Sequence, residues 1–154
     1  MSYSPITRKG MLRLKEELDK LQTIDRPNVI KAIEEARAHG DLSENAEYHA
    51  AKERQSLIMS RIDELQLHIS TTQIVDTKGP YKKCVFGATV TIENVYTDEQ
   101  TTYTLVGPYE SDPENGFLSI ATPIGKALLG LMEGDGFLVE SPNGEEEFRI
   151  IHIQ

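Results

Sequence analysis

Two apolar stripes, repeated at helical spacing on either side of one break, constrain this chain more than any other feature. Met11, Leu14, Leu18 and Leu21 recur at steps of 3, 4 and 3, and Ile58, Ile62, Leu65 and Ile69 at steps of 4, 3 and 4. This is the seam of a coiled coil, with one narrow stripe on each helix. Thr7 stands where it caps the first helix, and Gly40 where it ends the ascending arm. Pro27 interrupts that arm and opens a second helical segment over residues 28–38, because proline is tolerated in a first helical turn. The returning arm, residues 44–75, would be ~45 Å long at ~1.5 Å per residue. Since the stripes flank the break near residues 39–44, the economical arrangement is an antiparallel hairpin with an exposed tip. Such a hairpin satisfies its own seam and has little need of a partner helix, so a monomer is expected.

The pattern changes near residue 77. The first 76 residues hold two of the 11 glycines and two of the seven prolines; the remainder holds nine and five. Asp76-Thr77-Lys78-Gly79-Pro80 therefore reads as a linker between residues 1–76, a helical hairpin, and residues 77–154, a second domain. In that second part, residues 88–93, 101–106, 117–120, 137–140 and 147–153 alternate apolar and polar with period two, as strands do. Ser141-Pro142-Asn143-Gly144 is a hairpin turn. Thr122-Pro123, followed by apolar helix formers, opens one short helix. The fold class is α+β: a coiled-coil hairpin followed by a small antiparallel-sheet domain with a short helix.

Charge narrows the partners. The net charge is −9, with 11 Lys+Arg against 13 Asp+Glu in residues 1–76 and 5 against 12 in residues 77–154. An acidic surface repels phosphates, so autonomous binding to duplex DNA through a broad basic face is not expected and any nucleic-acid contact must be local. No apolar run approaches the ~20 residues that span a bilayer, and the N-terminus lacks the layout of a secretion signal; no membrane partner is expected, and the location implied is cytoplasmic. Cys84, the single cysteine, forms no internal disulfide and reads as a buried filler. His39, His49, His68 and His152 have no mutual metal-ligand spacing.

The chemistry gathers where the hairpin turns. Asp41 and Glu44 lie three residues apart, so with Glu44 in a first helical turn their carboxylates converge on one point. The same spacing also fits a capping box, in which a carboxylate at a helix N-terminus is favoured by the dipole. Mg²⁺ takes six oxygens in near-octahedral geometry, and two carboxylates alone hold it poorly. Delivered by a rod into another protein's active site, the pair would complete a second metal position ~3.5–4 Å from a resident ion and assist phosphodiester hydrolysis. Too few ligands are present for a free-standing metal nuclease.

Gly40-Asp41-Leu42-Ser43-Glu44-Asn45-Ala46-Glu47-Tyr48 resembles the tip signature of the Gre family of transcript-cleavage factors, and Ser119-Ile120-Ala121-Thr122-Pro123-Ile124-Gly125-Lys126-Ala127-Leu128-Leu129 resembles that family's second signature. The resemblance runs over essentially the whole chain, and the sparse basic surface is closer to its GreA branch than to the more basic GreB branch. It implies an FKBP-like second domain that docks on the rim of the RNA polymerase secondary channel through the segment holding Ser119 and Pro123. It also implies that Asp41 and Glu44 enter the channel and share a catalytic Mg²⁺ with the polymerase, so that the free protein holds no metal and is not itself the enzyme. The family's basic patch, which steers the nascent RNA 3′ end, maps onto Arg37 and Lys52, with Arg54 adjoining; read without the resemblance, these are cations on a solvated helix face among Glu34, Glu35 and Glu53. Asn45 and Tyr48 are placed to brace the tip or to touch polymerase. The rival function is a non-cleaving inhibitor that blocks the channel with the same rod. A prolyl isomerase or chaperone is suggested only by the implied fold, and fold alone confers no activity.

Overall fold

The computed structural model describes residues 3–40 and 45–154, and Asp41 and Glu44 lie outside them. The elements in chain order are β1 (Ser4–Ile6), α1 (Arg8–Lys20), a π-helical turn (Leu21–Asp25), α2 (Arg26–Arg37), α3 (Ala46–Ser70), β2 (Thr72–Ile74), β3 (Thr89–Asn94), β4 (Gln100–Val106), β5 (Phe117–Ser119), α4 (Pro123–Leu128), β6 (Gly136–Ser141) and β7 (Gly144–Ile153). Contacts divide the chain into two units. One joins the chain up to Gly10 with Thr72–Gln154; the other is Met11–Thr71.

Within the helical unit the apolar stripes become the seam. Met11, Leu14, Ile62 and Leu65 are buried, and Leu18, Leu21, Ile58 and Ile69 are half-buried. Arg61 meets Glu17 and Asn45 meets Ala36, so the arms run in opposite directions. Beyond Pro27 the seam continues through Val29, Ala36 and Ala51, all buried. The two alanines give no stripe strong enough to read in sequence, because alanine is as common on a helix surface as inside. The interruption at Pro27 is milder than a break. Arg26 N–H donates to the carbonyl of Leu21, five residues back, and both Asp25 and Arg26 keep helical dihedrals. The wide π turn absorbs the missing donor and the ring's bulk, which would otherwise kink or break the helix.

The returning helix is shorter than its apolar pattern suggests. α3 ends at Ser70, and at ~1.5 Å per residue its 25 residues span ~37 Å. Thr72–Ile74 then leaves the helix and pairs in parallel with Ser4–Ile6, Ile6 against Ile74. This two-stranded ribbon, absent from the sequence reading, belongs to the same unit as the larger sheet. Thr7 N–H donates to Glu110 Oε1 at 2.8 Å and the Thr7 hydroxyl donates to Glu110 Oε2. Gly107 sits so close to the ribbon that a Cβ there would stand 1.9 Å from the Pro5 carbonyl oxygen, so only glycine fits. Thr7 also caps α1, accepting from Gly10 N–H at 3.0 Å.

The larger sheet has the order β5-β4-β3-β7-β6. β3 pairs antiparallel with β4 and β7, and β6 with β7 across the turn where Ser141 faces Gly144. β5 pairs with β4 in parallel, so the sheet is mixed where an antiparallel one was expected. Period-two patterning reports which face a residue occupies and carries no information on strand direction. Val90, Ile92, Leu105, Leu118, Leu128 and Ile150 form the centre of the core. Phe137 and Phe148 stack beside it with ring centroids 5.4 Å apart. Cys84 is fully buried in the same cluster, and burial pushes its thiol pKa up to about 11.

Candidate functional site

Asn45 joins the two helix ends that flank the acidic segment. α2 ends at Arg37, after which Ala38 N–H donates to the carbonyls of Glu34 and Glu35, His39 N–H donates to that of Ala36, and Gly40 takes φ +127°. On the other side, Asn45 adopts extended dihedrals and its Oδ1 accepts from Tyr48 N–H at 3.0 Å, the N-cap of α3. Its Nδ2 donates to the carbonyl of Ala36 at 2.6 Å. One side chain therefore satisfies an orphan donor at the start of α3 and an acceptor in the last turn of α2. The cap is Asn45, where the capping-box alternative placed Asp41. Glu47 in the first turn adds the charge that a helix N-terminus favours.

Helical periodicity sorts the flanking side chains onto two faces. On one, Glu34 and Arg37 of α2 oppose Tyr48, Lys52 and Gln55 of α3 around a concavity of about 190 Å³. On the other, Glu35 and His39 oppose Glu47 and Arg54 across a groove of about 340 Å³ floored by Ala36 and Ala51. Tyr48, Lys52 and Gln55 follow the i, i+4, i+7 rule, and Glu47, Ala51 and Arg54 follow it one residue earlier. The three cations expected to form one patch are thus divided: Arg37 and Lys52 line the same concavity, and Arg54 lines the other. A two-residue step turns ~200° about a helix, so this division was available from numbering alone. Lys52 Nζ donates to Gln55 Oε1 at 3.2 Å, which fixes a cation and an amide side by side. Gln55 carried no sequence signal; its face, set by Tyr48 and Lys52, was the clue.

In the sheet unit, Ser119 and Pro123 have different situations. Ser119 is 3% exposed, its Oγ accepts from Ala121 N–H at 3.0 Å, and its carbonyl accepts from the Thr122 hydroxyl at 2.7 Å. Thr122 caps α4 by accepting from Gly125 N–H at 3.1 Å, and exposed Pro123 follows in the first helical turn. A Cβ on Gly125 would lie 2.1 Å from the Ser119 carbonyl oxygen, so the helix can approach β5 only with glycine there. Ser119 therefore shapes the segment from within, and Pro123 is the member of the pair that a partner can reach.

Among the described residues, no three His, Cys, Asp or Glu side chains cluster as metal ligands, and no helix is long and apolar enough to cross a membrane. The family model described as "Transcription elongation factor, N-terminal" matches residues 4–74, and the one described as "Transcription elongation factor, GreA/GreB, C-term" matches residues 79–154. Transcription elongation factor GreA of Anaeromyxobacter sp. (strain K) is 48% identical over 151 residues, covering 97% of this chain and 91% of that protein. The GreA of Cereibacter sphaeroides is 47% identical over 154 residues, covering 100% of this chain and 99% of that protein. Among solved structures, GreA factor homolog 1 of Thermus thermophilus is 27% identical with a TM-score of 0.46, covering 99% of each chain.

Proposed function

The chain belongs to the GreA/GreB family of transcription elongation factors, and on that premise we propose that it enters the secondary channel of RNA polymerase and stimulates cleavage of backtracked RNA by the polymerase's own active site. The observation that carries this reading is the Asn45 bridge. Immediately after the acidic segment, a single side chain ties the end of α2 to the start of α3. In sequence, Asp41 and Glu44 fall between Ala36 and Asn45, the two residues that this bridge joins, and joined flanks are what presenting two ligands together requires.

The division of labour follows from donor chemistry. Two carboxylates are a normal protein contribution to a Mg²⁺ site whose remaining positions are taken by water, phosphate and another protein's ligands. When bound, the ion supplies Lewis acidity and a water of lowered pKa. Asp41 and Glu44 orient that site, Arg37 and Lys52 attract the phosphates of the extruded nascent RNA 3′ end, and the segment shaped by Ser119 presents Pro123 to the channel rim. The factor acts in the cytoplasm as a monomer and is not itself the nuclease.

Purified protein added with Mg²⁺ to a backtracked elongation complex tests this directly by RNA length. Shortening of the transcript is expected, and Asp41→Asn with Glu44→Gln should abolish it while binding to polymerase persists. Slower synthesis at unchanged transcript length would identify a channel inhibitor instead.

A further inference from the structure

Beyond attracting phosphates, the face that carries Arg37 and Lys52 has the makings of a pocket for a base. Its concavity of about 190 Å³ is smaller than the ~300–1,000 Å³ typical of sites for drug-sized ligands, and suits one flat ring rather than a whole nucleotide. Ile30 and Ile33 give it an apolar side, and Tyr48 is half-buried against it from the first turn of α3. The Tyr48 amide is held by the Asn45 cap and its ring meets that of His49 edge-on at 5.6 Å, so the aromatic side chain is positioned before any ligand arrives. Gln55 and Glu34 bring an amide and a carboxylate to the same rim, groups that pair with base edges, whereas a carboxylate has no use in a site for phosphate alone. Arg37 and Lys52 stand beside them as phosphate contacts.

We infer that Tyr48, with Glu34 and Gln55 at the edge, forms a subsite that takes one unpaired base of the extruded RNA, stacked on the tyrosine, while Arg37 and Lys52 hold the adjoining backbone. The inference rests on the reading of this face as an RNA contact. It adds a second kind of recognition, directed at the base. Stacking of a base on an aromatic side chain is worth roughly 5-fold to 150-fold in affinity, and it tolerates any base because each has a π face.

The test uses two backtracked complexes, assembled on RNAs whose extruded 3′ nucleotide either carries a base or is abasic. For each RNA, the full-length factor is titrated to the concentration giving half-maximal cleavage. Tyr48→Leu should raise that concentration at least about fivefold on the RNA with a base and leave the abasic RNA unchanged. Tyr48→Phe should match the wild type on both, and Arg37→Ala or Lys52→Ala should lose on both alike. Equal loss on both RNAs by Tyr48→Leu, or loss by Tyr48→Phe as large as by Tyr48→Leu, would give Tyr48 a purely structural role and overturn the subsite. A 2-aminopurine at the extruded position adds a readout independent of rate: wild-type factor should quench it, and quenching retained by Tyr48→Leu overturns the inference as well. Cleavage that survives Asp41→Asn with Glu44→Gln would instead refute the function proposed above, whichever way Tyr48 behaves.

Discussion

Asn45 shows how one residue makes a turn specific. Its carbonyl oxygen caps α3 and its amide nitrogen reaches back to Ala36, so an aspartate in its place would keep the first bond and lose the second. Read by denaturant unfolding, Asn45→Ala should cost about 1 kcal/mol for the cap, with a further loss from the missing bond to the Ala36 carbonyl, which keeps its bond from His39 N–H. Asn45→Ser should recover the capping part alone, because its hydroxyl is too short to bridge. Gly125 is the counterpart in the sheet unit. With the Ser119 carbonyl oxygen 2.1 Å from where its Cβ would sit, Gly125→Ala should destabilise by about 1–3 kcal/mol in thermal unfolding, the range for an overpacked site. Both residues fall inside the two stretches that carried the family resemblance, and sequence flagged Asn45 only as a brace of the tip or a polymerase contact. Their exact partners are carbonyls of other segments, which no local pattern encodes.

At the scale of elements, α1 and α3 are joined by a bidentate pair in which Arg61 Nε and Nη2 donate to the two carboxylate oxygens of Glu17 at 2.6 and 2.9 Å. The hydrogen bonds from Arg61 hold the Glu17 pKa below its ordinary value, and burial opposes them. A carboxylate whose folded pKa is depressed contributes stability that is present above its unfolded pKa and disappears as pH falls through the folded one. Since both side chains are about 40% exposed, solvent screening limits the pair to about 0.2–1 kcal/mol. Unfolding of the wild type and of Arg61→Met should therefore differ at neutral pH and converge in acid, and at high salt. The stripes themselves were legible because a heptad repeat survives whatever surrounds it. The end of α3 was not, because Thr72–Ile74 reads as a continuation of the helix until β1 offers its backbone a parallel strand partner.

For the whole molecule, the chain's contact units cut across its composition boundary: β1 and β2, before residue 77 in sequence, belong with the sheet that follows it. A fragment of residues 77–154 would leave Gly107 and Glu110 without Pro5 and Thr7 against them. Amide hydrogen exchange at Val106 and Gly107 should be faster in that fragment than in the full chain; equal protection would show that the ribbon is dispensable. Sequence by itself determined the two helices, the turn between them, five strands and a short helix, because those depend on periodicity and on capping and turn residues that act within a few positions. It also supplied the acidic tip motif and the cations beside it. Tertiary structure alone decided which strands pair and in which direction, that Ser119 faces inward while Pro123 faces out, and that Arg37 of α2 lines the same concavity as Lys52 of α3. Those outcomes are settled by segments far apart in the chain competing for the same backbone partners and the same buried surface.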